Sequence, residues 1–336
     1  MRIDEYAFVE LNKDYDYDSY IANIIREAGI NYFLCNTPLK NIPFFLRPFF
    51  KLHTSGKLNS IIEMPFKTIW RRYFLNKKLL KDIARFKTIY FLLGDTLRLV
   101  LDSKLIGFLR KRFPGCKIIY VFPDKVASYL SEIEKKTSFS DFVSSFDLVC
   151  TFNKLDAARY DIVLQKPCIY FSFHDSPAIS YDAVFIGKEK GRLNKLINLY
   201  DLLEINGFNC CFYIIGVSKK DQIKRPGIVY RKYLPYEEVL KIDSSSKCIV
   251  NIVQDGASGI TLRDYEAIGM NKVLITNNIN IKSYPFYTDK KVIILQDDVA
   301  TTDFTNINQF DPKEAWNNVD DYSITNYFKW LLENVK

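Results

Sequence analysis

Short apolar runs separated by amphipathic stretches recur along the whole chain. In the first half the runs are EYAFVE (5–10), NYFLC (31–35), TIYFLL (88–93), KIIYVF (117–122), DLVCTF (147–152) and CIYFSF (168–173). Their length and their Ile, Val, Tyr and Phe content read as buried strands. Helix-compatible stretches lie between them at 17–28, 60–85, 97–112, 138–145 and 154–160. Strands that are apolar throughout, rather than alternating, imply a parallel sheet covered on both faces.

The second half repeats the plan. AVFIG (183–187) precedes a helical stretch at 191–206 and the run CCFYIIG (210–216). GIVYRKYL (227–234) precedes a short helix at 235–243, and CIVNIV (248–253) precedes one at 260–269. KVLITN (272–277) and KVIIL (291–295) complete the strands, and a helix at 322–334 closes the chain with Tyr327, Trp330, Leu331 and Val335 as its apolar positions. The polar, Pro-containing segment SFHDSPAISYD (172–182) marks a boundary. The expected architecture is α/β: two doubly wound, Rossmann-like domains over 1–175 and 176–320, facing across a cleft. Residues 321–336 form a final helix free to cross back to the first domain. Ligands in such sheets bind beyond the carboxyl ends of the strands.

Length agrees, because 336 residues exceed one ordinary core. With 48% hydrophobic and 26% charged residues the composition is that of a globular protein. The opening MRIDEYAFVELNKDYDYD is acidic where a secretory signal is basic, and no run reaches 18 uninterrupted apolar residues. Seven scattered cysteines, with no CxxC pair, read as reduced core residues of a cytoplasmic protein rather than a zinc site.

The net charge of +8 is concentrated. Residues 41–88 hold eleven Lys/Arg against Glu63 and Asp82, a local charge of +9. Large apolar residues, including Phe44, Phe45, Phe49, Phe50, Trp70 and Phe74, are interleaved with these charges. Cations mixed with aromatics suit an anionic membrane surface, here through residues 41–85. The alternative is that the aromatics pack in the core while the charges face water. No recognised nucleic-acid motif is present, and nucleic acid is not an expected partner.

Candidate chemistry gathers at two loops. CIVNIVQDGASG runs from a strand into a Gly-rich loop, and ITLRDYEAIG continues as a helix. The first turn of a helix offers free N–H groups and partial positive charge, and glycine lets a phosphate approach the backbone. Thr261 adds a hydroxyl and Arg263 a guanidinium suited to a phosphate or to structural pairing. Glu266 lies on nearly the same helix face as Arg263. It can accept hydrogen bonds from a ribose diol, or pair with Arg263 or Lys272. The second loop, AVFIGKEKGR, brings Lys188 and Arg192 to a helix start, where either could neutralise a diphosphate or form a solvated basic turn. Walker A and GxGxxG patterns are both absent, which argues against a P-loop enzyme and a Rossmann dehydrogenase.

DAVFIGKEKGR, YRKYLPYEEVLKIDSSSKCIVNI and GITLRDYEAIGMNKVLITNN, in that order, resemble the donor half of GT-B glycosyltransferases, in particular bacterial enzymes of lipopolysaccharide, O-antigen and capsule assembly. The likeness is most specific over 245–278. IIYVFPDK and SFDLVCTFNKLDAARYDI resemble parts of the acceptor domain. The resemblance implies a nucleotide-sugar donor on the C-terminal domain. Gly259, Ile260 and Thr261 would meet the diphosphate and Glu266 the ribose. Tyr233 and Leu234 would edge the base, and Lys188 and Arg192 would stabilise the departing nucleoside diphosphate. It implies a lipid-linked glycan acceptor at the inner face of the cell membrane, and no cofactor or metal, because cationic side chains and a helix dipole take the metal's place. The acidic position that many relatives carry seven or so residues before Glu266 falls on Ser258 or Gly259 here, neither of them acidic, so retaining chemistry does not follow. An inverting reaction needs a base. Asp124, Asp95 and His174, each after a strand end, are the candidates, although Asp95 and Asp124 could cap helices and His174 could satisfy its loop.

Overall fold

The computed structural model describes residues 5–12, 16–36, 42–55, 58, 61, 62, 66–94, 104–170, 178–254 and 259–335. The chain divides into two compact units, Met1–Lys166 with Thr325–Lys336 and Pro167–Ile324.

In unit 1 the strands are β1 (Tyr6–Asn12), β2 (Tyr32–Asn36), β3 (Thr88–Leu93), β4 (Lys117–Phe122), β5 (Leu148–Thr151) and β6 (Val163–Leu164). They form one parallel sheet in the order β2-β1-β3-β4-β5-β6. The helices are α1 (Asp16–Glu27), α2 (Arg47–His53), α3 (Arg71–Phe74), α4 (Lys77–Ile83), α5 (Lys104–Arg112), α6 (Ala127–Glu134), α7 (Phe139–Ser144) and α8 (Lys154–Tyr160). Continuous apolar strands have a physical reason here, since both faces of β3 are covered and Ile89 through Leu93 are all buried. One face packs Phe91, Tyr120 and Phe122 into the main core. On the other, Phe8 stacks on Tyr90 with ring centroids 5.2 Å apart and meets Phe328 at 4.5 Å. Phe328 belongs to α13 (Ile324–Asn334), the last helix of the chain. Gln165 fixes the same helix by donating to the Tyr327 hydroxyl at 2.7 Å.

Three local expectations change. The stretch 60–85 is not one helix: a 3-10 turn at Lys67–Trp70 leads into α3, Leu75 leaves helical geometry, and the Asn76 side chain starts α4 by accepting the Leu79 N–H at 2.9 Å. The sixth strand of the sheet is β6, because Asp161 turns the chain left-handed at the end of α8 and returns it directly beside β5; of the expected run 168–173, residues 171–173 lie outside the described residues. Ile169 instead bonds the Tyr322 carbonyl and bridges to Ser323. Helices α2 and α6, and a short helix at Thr305–Asn308 in unit 2, have no counterparts among the expected elements.

In unit 2 the strands are β7 (Tyr181–Lys188), β8 (Cys210–Ile215), β9 (Ile228–Arg231), β10 (Ser246–Asn251), β11 (Val273–Thr276) and β12 (Val292–Ile294). Its helices are α9 (Leu193–Ile205), α10 (Tyr236–Ser244), α11 (Leu262–Gly269) and α12 (Thr305–Asn308). The sheet is again wholly parallel, in the order β12-β11-β10-β7-β8-β9. Counted from β7 as the first strand, this is the 3-2-1-4-5-6 order of the dinucleotide-binding fold, and it reverses direction between β7 and β10. All seven cysteines of the chain are buried and free.

Packing between β8 and β9 depends on Gly227. Its N–H donates to the Tyr200 hydroxyl at 2.8 Å and its carbonyl accepts from Phe212 at 2.8 Å. A Cβ there would collide with the Cys210 carbonyl oxygen and lie 2.7 Å from the Tyr200 hydroxyl. Gly227→Ala is expected to cost about 1–3 kcal/mol, toward the upper end because backbone must yield. A urea melt of the variant checks this, and wild-type stability would show that the strands slide freely.

Candidate active site

Loops from neighbouring strands diverge where a sheet reverses direction, and a ligand crevice opens beyond their carboxyl ends. In unit 2 that point lies between β7 and β10, which pair directly through Cys248–Ala183 and Ile249–Val184. The two loops singled out in the sequence are the ones that leave these strands.

After β7 the backbone turns left-handed at Lys190 (φ 42°) and Gly191 (φ 78°) before entering α9. The Glu189 carboxylate tightens the turn by accepting the Gly191 N–H at 2.7 Å. Arg192 stands at the N-cap of α9 and donates from Nη2 to the Lys188 carbonyl at 3.0 Å. Its guanidinium lies over the Phe185 ring, 5.6 Å from the centroid. Gly187 lies beneath this stack, where a Cβ would press on Phe185 Cζ at 3.2 Å and touch Arg192 Nη2 at 3.7 Å. Arg192 Nε is buried and has no hydrogen-bond partner among the described residues. Burial pushes the Arg192 pKa down, and Glu189 opposes that shift. The Lys188 side chain is exposed.

After β10 the chain runs through Ile252 and Val253 and re-enters the described residues at Gly259 and Ile260, both buried, ahead of α11. Asparagines pin both flanks. Asn277 accepts the Val253 N–H at 2.7 Å and donates to its carbonyl, while Asn278 donates to the Gly259 carbonyl at 3.2 Å. The start of α11 is capped internally. Asp264 is fully buried and accepts the Thr261 N–H at 2.7 Å and its hydroxyl at 3.0 Å. Asn251 joins them, donating to Asp264 at 2.8 Å and to the Thr261 oxygen at 2.9 Å. This is a capping box, with Thr and Asp at the required spacing. Burial raises the Asp264 pKa, and the bonds from Thr261 and Asn251 oppose the rise.

One turn further on, Arg263 joins two buried carboxylates. It grips Asp243 of α10 with both terminal nitrogens, at 2.5 and 2.9 Å, and reaches Glu266 at 2.5 Å. The Tyr236 hydroxyl donates to the other Glu266 oxygen at 2.7 Å. Of the pairings open for Glu266, the structure therefore takes the one with Arg263. Thr261 and Glu266 are bonded to neighbours, as are both terminal nitrogens of Arg263, whose buried Nε has no partner among the described residues, so the three shape the helix start. Exposed cations on the turn beside the switch point are Lys188 and Lys190, with the half-buried Arg192 following them. Tyr233, exposed, and Leu234, buried, lead into α10, which the Tyr236–Glu266 bond holds against α11.

Two carboxylates and one guanidinium leave a surplus negative charge in a dry site. Burial and the nearby Asp243 raise the Glu266 pKa to about 7, with Arg263 and Tyr236 opposing. Burial also raises that of Asp243, against Arg263 and Lys272. Burial works to lower the Arg263 pKa, but its two carboxylates outweigh it and the guanidinium stays charged. Because the folded-state pKa of Glu266 exceeds the ordinary value, its stabilisation is full below about pH 4.5 and is lost as pH rises through 7. Glu266→Gln keeps the shape without the titration. The variant is expected to gain stability relative to wild type between pH 5 and pH 8; a pH-independent difference in urea melts would contradict that.

Two lysines serve helix ends: Lys272, offered by the sequence as a partner for Glu266, and Lys291, which the sequence reading did not single out. Lys272, which is 2% exposed, donates to the Ser244 carbonyl at the end of α10 at 2.6 Å. Lys291, equally buried, donates to the Asn271 carbonyl just past α11 at 3.3 Å. Cations are favoured at helix C-termini. Burial lowers the Lys272 pKa to about 8, with Asp243 opposing.

In unit 1, Asp124 is exposed just beyond β4 and accepts the Lys125 N–H at 2.8 Å. The adjoining Val126 N–H is taken by Asp156, at 2.9 Å, so Asp124 is not needed to cap α6. Asp95 and His174 lie outside the described residues. Among the described residues, no cluster of three or more His, Cys, Asp or Glu is arranged to hold a metal ion.

No protein-family model matches the chain, and no curated protein is similar to it in sequence. Solved structures are similar in fold. An alpha-glucosyltransferase in complex with UDP and a 13-mer DNA containing an HMU base matches with a TM-score of 0.55 at 10% identity, over 98% of this chain and 99% of that one. An alpha-glucosyltransferase with UDP-glucose and DNA containing an abasic site matches with a TM-score of 0.54 at 9% identity, over 98% and 95% of the two chains. TarM matches with a TM-score of 0.47 at 11% identity over 74% of this chain, which spans only 55% of TarM. The two parallel six-stranded sheets with flanking helices are those of the GT-B glycosyltransferase fold.

Proposed function

We propose that the chain is a nucleotide-sugar-dependent glycosyltransferase. Its donor is held by unit 2, and its acceptor is a hydroxyl on a lipid-linked glycan or growing polysaccharide of bacterial surface-glycan assembly at the inner face of the membrane. One observation carries the reading: the loops containing Lys188–Arg192 and Gly259–Thr261 leave neighbouring strands at the point where the sheet order reverses. Both lead into helix starts, which favour anions.

The diphosphate of the donor would lie between the starts of α9 and α11. Lys188 and Arg192 would neutralise the charge that develops on it as the bond from the anomeric carbon to the phosphate oxygen breaks. These cations and the helix dipoles would fill the role that a metal ion fills elsewhere. Gly259 and Ile260 would offer backbone amides, while Thr261, Arg263 and Glu266 hold those amides in place from behind. Glu266 has a spare lone pair on each oxygen for a ribose hydroxyl. Tyr233 and Leu234 would border the base. As the acceptor oxygen bonds to the anomeric carbon, its proton would pass to a base, for which Asp124 is the exposed candidate at a strand end.

The test supplies the chain with UDP-, GDP-, dTDP- and CMP-sugars, labelled in the sugar, and a bacterial lipid extract. Label moving into lipid with release of nucleotide is the expected result. A donor isomerised without any acceptor would replace this reading with an epimerase, and intact donors throughout would overturn it.

A further inference from the structure

Unit 1 exposes large apolar side chains where a water-facing surface gains nothing from them. Eight of the sixteen exposed large hydrophobics among the described residues fall within 44–69, so the apolar exposure is concentrated in one segment. Phe44 and Phe45 precede α2 and meet edge to face, 5.7 Å apart, with Phe44 79% exposed. Phe49 points outward from α2 while its neighbour Phe50 is buried against Trp70, ring to ring at 5.2 Å. Further on, Ile61 is 80% exposed, with Ile62 beside it. Phe66 is also exposed and has left-handed backbone (φ 61°), unfavourable for an aromatic residue. It starts the turn that buries Trp70 and leaves its own ring in solvent. Trp70 ties the two parts together by donating from Nε1 to His53 Nδ1, at 3.0 Å, at the end of α2. Anchored inward by Phe50 and Trp70, the segment presents its other rings outward.

Charge selects the occupant. Between 42 and 87 the acidic residue among the described ones is Asp82. The exposed Lys51, Arg72, Lys77, Lys78, Lys81 and Arg85 form no ion pair among the described residues. A second copy of this chain docked symmetrically would bring like charges together. A nucleic acid would satisfy the cations, but aliphatic Ile61 and Ile62 have no π-face to stack on a base. A bilayer with anionic headgroups satisfies both sets, because cations stay among the phosphates while aromatic and aliphatic side chains enter the acyl boundary. No helix among the described residues is long and apolar enough to cross a membrane, so the contact lies in the interface.

We propose that Phe44, Phe45, Phe49, Ile61, Ile62 and Phe66 insert into the headgroup boundary of an anionic bilayer, held there by the basic residues of α3 and α4. The inference rests on unit 1 alone and does not require the donor reading.

Co-sedimentation of the full chain with vesicles tests it, using phosphatidylcholine alone and phosphatidylcholine with phosphatidylglycerol. Binding is expected only with the anionic lipid, and it should weaken as salt rises. Phe45→Ser with Phe49→Ser is expected to weaken it by roughly tenfold or more per ring removed. Lys77→Glu with Lys78→Glu is expected to weaken it by at least about fivefold per residue. Unchanged circular dichroism shows that the variants fold, and a lone Phe49→Tyr change, which keeps the ring, should retain most of the binding. Absence of binding to anionic vesicles would overturn the proposal. So would binding that the Phe→Ser changes leave intact, duplex DNA that outcompetes vesicles, or a concentration-dependent oligomer that the same changes abolish. None of these results touches nucleotide binding, so the two proposals fail separately.

Discussion

Replacing Arg263 by alanine is expected to remove about 3–5 kcal/mol from the stability of unit 2. That is the range for deleting one partner of a buried ion pair and leaving the other charge without compensation. Here two carboxylates are left, since Asp243 is fully buried and Glu266 is 1% exposed. Net charge decides the size of the effect, because the guanidinium is the cation that both acids bind. Loss should be greatest near neutral pH and smaller in acid, where the carboxyls take up protons and need no partner. Trp316 reports on unit 2, because it is buried and its Nε1 donates to the Lys272 carbonyl at 3.1 Å. Urea unfolding followed through that residue gives the measurement. A loss below about 1 kcal/mol would mean that the cluster behaves as a solvated surface pair.

The second large effect concerns affinity rather than stability. Arg192→Ala and Lys188→Ala are each expected to weaken nucleoside diphosphate binding by about 10–100-fold, the range for losing a charged hydrogen bond of about 1.5–3 kcal/mol. Arg192→Lys should recover only part of the loss, since an ammonium keeps the charge but not the planar fork. Neither side chain forms an ion pair within 4 Å among the described residues, so folding should change little. A thermal-shift screen with UDP, GDP, dTDP and CMP identifies the base. At a hundred times its dissociation constant a ligand adds about 2.7 kcal/mol, and the variants should lose that shift. Calorimetric titration then gives the ratios, and equal affinities in all three proteins would remove these cations from the site.

Strands of both units were legible because burial on two faces writes an uninterrupted apolar run, as in TIYFLL and KIIYVF. Order within the sheets was not. Nothing local in CIVNIV says that it lies beside AVFIG rather than beside GIVYRKYL, and only that adjacency brings the two loops together. The same limit explains the site. The Arg263–Glu266 pair spans three positions on one helix and can be read from spacing. Asp243 lies twenty residues away on another helix, so its grip on Arg263 depends on packing. Thr261 and Asp264 carried a readable signal, the capping-box spacing, which assigns the threonine to the helix and not to a ligand. Asn277 and Asn278 stood in the resemblance as a motif, but their work on both flanks of the Gly-rich loop required coordinates. The failure of 60–85 as one helix had a local cause that could have been read, an asparagine at 76 well placed to begin a new helix.

A crystal structure of the chain with its tightest-binding nucleoside diphosphate tests the central claim most directly. Both phosphates are expected beyond the ends of β7 and β10, with Lys188 or Arg192 within hydrogen-bonding reach of their oxygens and the amides of Gly259 or Ile260 facing them. A nucleotide seated anywhere else, with the loops after those two strands untouched, would contradict it.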